Sequence, residues 1–179
     1  WTEYSDSHKL NLTNLIQQIA KSKTGKDLLV KASDKAKSYG QTLSQVIEAG
    51  DGSITDTTLI RRFMPSDPDQ VSYETRSKVF LNRNLNTYDA ILDLSHELTH
   101  FVYREGFNPY EKNFSLDTFI KSTVEGRGGE VQAFMMECKI LYELFPKKIT
   151  SRYNCKKIID AESGTLSRDL AIKRFYQLG

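Results

Sequence analysis

Two of the three histidines of the chain, His96 and His100, stand four residues apart in the stretch DLSHELTHF at 93–101, with Glu97 directly after the first. On a helix, residues i and i+4 lie one turn above each other, so both imidazoles can reach one ion. Neutral imidazole is a good zinc ligand. Glu97 points about 100° away from His96, so it is poorly placed to bind the same ion but can reach a water bound to it. Zinc lowers the pKa of such a water, and a nearby carboxylate can take the proton as hydroxide attacks a carbonyl. The expected division of labour is that His96 and His100 hold the metal and Glu97 acts as general base.

This chemistry requires a helix, and the surrounding pattern supplies one over 88–104. Ile91, Leu94, Leu98, Phe101 and Val102 share an apolar stripe, while Asp89, Asp93, His96 and His100 share the opposite side with Glu97 adjoining. That leaves the histidines on a polar face, read as solvent-facing. Upstream, 8–50 reads as helical, with apolar spacing at Leu12, Leu15, Ile16 and Ile19, a break at Gly25 and a stop at Gly40. The segment 53–85 is strand-containing: SITDTTLIRRFM and VSYETRSKVFLNRNL, rich in β-branched and aromatic residues, flank a proline-bearing loop, PSDPDQ. Val79, Leu81 and Leu85 fall on one side of the second strand, with Phe80 and Asn82 on the other. From 116 to 145 the chain is again helical, interrupted by GRGG and stopped by Pro146.

The 179 residues suit one domain with its own core. A formal charge of +2 gives no argument for nucleic acid or an anionic membrane, and no apolar run is long enough to span a bilayer. The sequence starts at Trp1, consistent with a removed N-terminal segment, and the expected location is extracytoplasmic or secreted. Cys138 and Cys155 are read equally well as one disulfide or as two thiols.

KVFLNRNL followed by AILDLSHELTHF, with a glutamate-bearing helix downstream, resembles the zincin metallopeptidases over about residues 72–138, and within them the small bacterial gluzincin-like members. The resemblance implies a single α+β zincin-like domain: N-terminal helices, a small β-sheet, an HExxH active-site helix and a C-terminal helical part. It implies one catalytic Zn2+, a peptide or protein substrate, an edge strand above the helix and a third metal ligand on a later helix. A metzincin would have glycine at Tyr103 and histidine at Gly106, so that class is excluded. His8 is far upstream, which leaves carboxylates: Asp117, Glu125, Glu130 and Glu137. GGEVQAF, with small residues at Gly126, Gly129 and Ala133, favours Glu130, and Glu125 stays open as the alternative.

Asp93, one turn before His96, is a candidate to orient a ligand, although an acidic residue early in a helix also suits the helix dipole. Arg127, Tyr103, Tyr110, Arg152 and Tyr153 are candidate oxyanion donors, which spacing does not separate. The strand at 78–84 is the candidate edge for pairing with an extended peptide. Two alternatives to a general zinc peptidase are a selective effector or toxin-type protease acting on one host protein, and a zinc-binding scaffold with little hydrolytic activity.

Overall fold

The computed structural model describes residues 7–105, 115–148 and 153–178. Two helices open the chain, α1 (Ser7–Ile19) and α2 (Lys23–Ser38). Leu12, Leu15 and Ile19 are buried as their spacing predicts, with Ile16 packed against them. The helix break falls at 20–22, not at Gly25. Ser22 caps α2 by accepting from the Gly25 N–H at 2.7 Å. Gly25 sits in the first turn of α2 because a Cβ there would lie 2.3 Å from the Ile19 carbonyl oxygen. Gly40 does end the helix, at φ +72°.

The reading of 8–50 as wholly helical needs a second correction. Ile47–Gly50 is a strand, β1, pairing in parallel with the end of β3. Four residues are too few to display an alternating pattern, and β1 owes its conformation to a partner 32 residues downstream. The sheet is completed by β2 (Ile54–Met64) and β3 (Asp67–Asn82), an antiparallel hairpin, in the order β1-β3-β2. The expected loop over PSDPDQ shrinks to residues 65–66, since pairing resumes with Met64 opposite Asp67 after a register shift. Prolines are compatible with a turn and with the first residues of a strand. Val79 and Leu81 are fully buried, as the alternation predicts.

The strand at 78–84 has no free edge where it was expected to receive a peptide. Residues 79–82 pair with β1 on one side, and Val79 and Phe80 pair with β2 on the other. The open edge next to the histidine helix belongs to β2. This could not be read beforehand, because it depends on the unrecognised β1 closing the other side.

Helix α3 (Thr87–Tyr103) follows, capped by Asn86, whose side chain accepts from the Asp89 N–H at 3.0 Å. Its apolar stripe packs with α1, α2 and the sheet in one core cluster. Helices α4 (Leu116–Glu125) and α5 (Glu130–Leu144) come next, then the short α6 (Tyr153–Lys157) and α7 (Arg168–Leu178). A second cluster, containing Leu92, Val124, Val131, Leu141, Ile158 and Ala171, lies between α3, α5 and the C-terminal segment. Cys138 of α5 and Cys155 of α6 form a disulfide inside it, with Cα atoms 5.5 Å apart. The architecture is α+β, and among the described residues no helix is long and apolar enough to cross a membrane.

Candidate metal centre

The polar side of α3 is not solvated. Helix α5 packs against it beside β2, leaving His100 4% and Glu97 8% exposed, with His96 partly buried. An ordinary wet helix face would not bury these side chains, which lose their hydration unless something else satisfies them.

For the two histidines the satisfaction comes from α5 and the turn before it. Glu130, its first residue, brings Oε2 to 3.3 Å from His96 Nε2 and 3.4 Å from His100 Nε2. A tetrahedral zinc site with bonds of about 2.0–2.1 Å has ligand-to-ligand edges of about 3.3–3.4 Å. Both separations match that edge length, as expected of donors that share one zinc ion. Donor atoms of His96, Glu97 and His100 also lie within 4.8 Å of one another, which puts the Glu97 carboxylate beside the same point.

Each of these side chains is held from behind. His100 Nδ1 lies 2.8 Å from the Gly128 carbonyl oxygen; as a donor there it leaves Nε2 unprotonated and aimed at the metal position. His96 Nδ1 lies 3.5 Å from Glu137 Oε2, one helical turn pair beyond Glu130 on α5. Arg104 donates from Nη2 to Glu130 Oε1 at 2.8 Å and from Nε to the Gly128 carbonyl at 3.3 Å. It fixes one carboxylate oxygen and leaves the other to the histidines. Thr55 of β2, itself buried, donates from Oγ1 to Glu97 Oε2 at 2.7 Å and lies 2.8 Å from the Glu97 carbonyl oxygen.

The close approach of α5 to α3 depends on glycine, but not on the glycines singled out from the sequence. A Cβ on Gly126 or Gly129 would strike the backbone of α4 itself, at Ser122 and Thr123, so these two build the tight turn between α4 and α5. Gly128, at φ +71°, is the one against α3: its Cβ would lie 2.1 Å from the Arg104 nitrogen.

Of the other carboxylates considered, Glu137 faces His96 Nδ1, and Glu125 accepts from the Tyr176 hydroxyl at 3.0 Å. Asp117 is exposed in the first turn of α4. Asp93 accepts from Ser53 Oγ at 2.9 Å, tying the turn before β2 to α3. Among the oxyanion candidates, the Tyr103 hydroxyl lies 2.9 Å from Lys31 Nζ, and the Arg127 guanidinium lies over the Tyr103 ring. Tyr110, Arg152 and the Tyr153 side chain lie outside the described residues. Sequence reasoning missed Arg104, although it continues the four-residue spacing of His96 and His100. It also missed Thr55, for which no local signal exists.

The charges are strongly coupled. Burial pulls the His96 pKa down, but hydrogen bonds to Glu130 and Glu137, helped by the charges of Glu137 and Glu97, hold it at about 9 in the metal-free chain. Burial pushes Glu130 up, and hydrogen bonds from His100, His96 and Arg104 outweigh it and keep the carboxyl well below the usual range. A histidine whose pKa rises on folding stabilises the fold below its unfolded value, near 6.5, and loses that contribution as pH climbs through its folded value. The depressed Glu130 acts oppositely, losing its contribution only in acid. Chelator-treated protein is therefore expected to lose up to about 3 kcal/mol of stability between pH 6 and 9.5 in urea unfolding. The loss should be clearly smaller in His96→Gln. Equal pH slopes in the two proteins would contradict the pairing.

Comparison of the chain with protein-family models, with curated proteins and with solved structures finds no match.

Proposed function

We propose that the chain is a zinc-dependent metallopeptidase with a zincin-like, gluzincin-type active site. The observation that carries this is the placing of Glu130 Oε2 at a tetrahedral edge length from both His96 Nε2 and His100 Nε2, with a buried Glu97 beside them. Held by those three donors, a zinc ion would supply a Lewis acid at an open fourth position.

The remaining work belongs to the protein. Glu97 accepts the proton of the attacking water and delivers it to the leaving amine. Thr55 fixes Oε2 of that carboxylate, which orients the other oxygen. Arg104 and Gly128 hold the ligands in place, so little rearrangement accompanies reaction. The outer edge of β2 passes Glu97 through Thr55, so a peptide added there as a strand has its backbone beside the general base. A scaffold that only bound zinc would have no use for a buried, positioned Glu97. The disulfide suits an oxidising, extracytoplasmic setting.

Metal analysis tests the reading most directly. Protein purified with zinc supplementation is expected to carry one zinc per chain, and His100→Ala to carry none. Absence of zinc from the wild-type protein would overturn the proposal.

A further inference from the structure

The β2–β3 hairpin is longer than the site needs. Thr55, at the level of Glu97, is paired with Val79, and β1 reaches no further along β3 than Val79. Beyond that point β2 and β3 continue as a two-stranded arm to Met64 and Asp67. From Thr55 to Met64 is nine residue steps, or about 30 Å.

Among the described residues nothing covers the outer edge of this arm. Natural edge strands are blunted by proline, lysine or bulges, because a row of unpaired backbone groups recruits other chains. Ile54–Met64 contains neither proline nor lysine, its charged residues are Asp56, Arg61 and Arg62, and its one register shift lies at the far end, between Phe63 and Met64. Among the described residues no strand pairs with this edge. The opposite edge of β3 is protected: the Arg76 guanidinium lies over the Tyr39 ring, and Lys78 is paired with Glu48.

The two faces differ as well. Arg62, Glu74 and Arg76 form a cross-strand charge ladder on one face, bracing the arm. The other face continues the one that carries Thr55 at the site; it bears Leu59, Tyr73, Phe63 and Val71 further out, with Thr57, Ser77, Thr75 and Arg61 among them. Phe63 is 65% exposed, and Met64 at the tip 58%. The edge of β2 thus runs from the general base to the tip, beside a face on which Leu59, Tyr73, Phe63 and Val71 alternate with Thr57, Ser77, Thr75 and Arg61.

We infer that this arm is a docking strip for an extended segment of an unfolded polypeptide substrate, so that the enzyme selects long, flexible chains over short peptides. The inference rests on the peptidase reading for its account of cleavage, but not for its account of binding. A short peptide can pair only near Thr55. A long one adds backbone hydrogen bonds and apolar contacts along the strip, and its advantage appears as tighter binding.

The test uses zinc-loaded Glu97→Gln protein and fluorescein-labelled, reduced and carboxymethylated lactalbumin, which is unfolded. Binding is read by anisotropy. Replacing residues 60–74 with an Asn-Gly turn retains the Leu59–Thr75 pair and is expected to weaken binding at least tenfold. Phe63→Ser, at an exposed position that cannot unfold the core, should weaken it about threefold. In the otherwise wild-type enzyme, the shortened arm should raise KM for the lactalbumin about tenfold and leave cleavage of a short quenched-fluorescence peptide unchanged. Unchanged lactalbumin binding, no binding by the full-length arm, or equal losses on both substrates would each overturn the inference. So would a dimer that dissociates when the arm is shortened, since a second copy would then cover the edge. If neither substrate is cut yet binding still depends on the arm, the peptidase reading fails and the docking strip stands.

Discussion

Glu97→Gln is expected to retain one zinc per chain and to lose hydrolysis by about 10²- to 10⁴-fold, the range typical for removing a general base. The substitution is isosteric, and its amide oxygen can still accept from Thr55 Oγ1, so the buried contact to β2 survives. The proposed metal donors His96, His100 and Glu130 are untouched. Only the ability to take a proton disappears. His100→Ala is the necessary contrast, because it should lose zinc and hydrolysis together. Paired zinc analysis and peptide-cleavage rates check both. Substantial cleavage by Glu97→Gln would assign the proton to another group, and loss of zinc from it would make Glu97 a ligand.

Gly128→Ala is expected to be the most damaging single methyl group in the chain. The residue sits at φ +71°, where a side chain is strained, and the new Cβ would lie 2.1 Å from the Arg104 nitrogen and 2.4 Å from the Tyr103 carbonyl carbon. Both are backbone atoms at the end of α3, so no rotamer change relieves the clash. The turn must back away, taking with it the carbonyl that receives His100 Nδ1 and, two residues on, Glu130. We expect a stability loss on the order of 3 kcal/mol or more, and zinc affinity reduced by about 10- to 100-fold, as for loss of a supporting ligand contact. Gly40→Ala separates strain from clash. Gly40 has nearly the same φ, +72°, but a Cβ there meets nothing within 4 Å. It should cost about 1 kcal/mol and leave zinc affinity unchanged. Urea unfolding and competitive zinc titration measure both effects.

These sites show what the sequence made legible. The helical spacing of His96, Glu97 and His100 is local, and so is the apolar stripe behind it; both are readable from one stretch, and the helix bounds agree within a residue. Glu130 could be favoured because glycines around it announced a close approach of two backbones. Which glycine makes the approach depends on the direction of each missing Cβ, a property of the turn and not of its composition. Burial of the polar face was invisible for the same reason: α3 alone has a wet side, and only α5 covers it. The open edge was assigned to the wrong strand because β1, too short to announce itself, occupies part of the edge of β3. Thr55 and Glu97 are 42 residues apart, and no spacing rule links a strand residue to a helix residue at that distance.

The division of the donors between two helices also sets when the chemistry becomes available during synthesis. The hairpin and α3 precede the third donor, which lies 30 residues after His100 and reaches the histidines only when α5 docks through the Gly128 turn. Local elements form quickly, while contacts distant in sequence wait for the intervening chain. A ribosome-bound chain can therefore display the histidine pair and the glutamate base without possessing a closed ligand set. Under the peptidase reading, the nascent polypeptide is inert toward itself and its surroundings until folding is nearly complete.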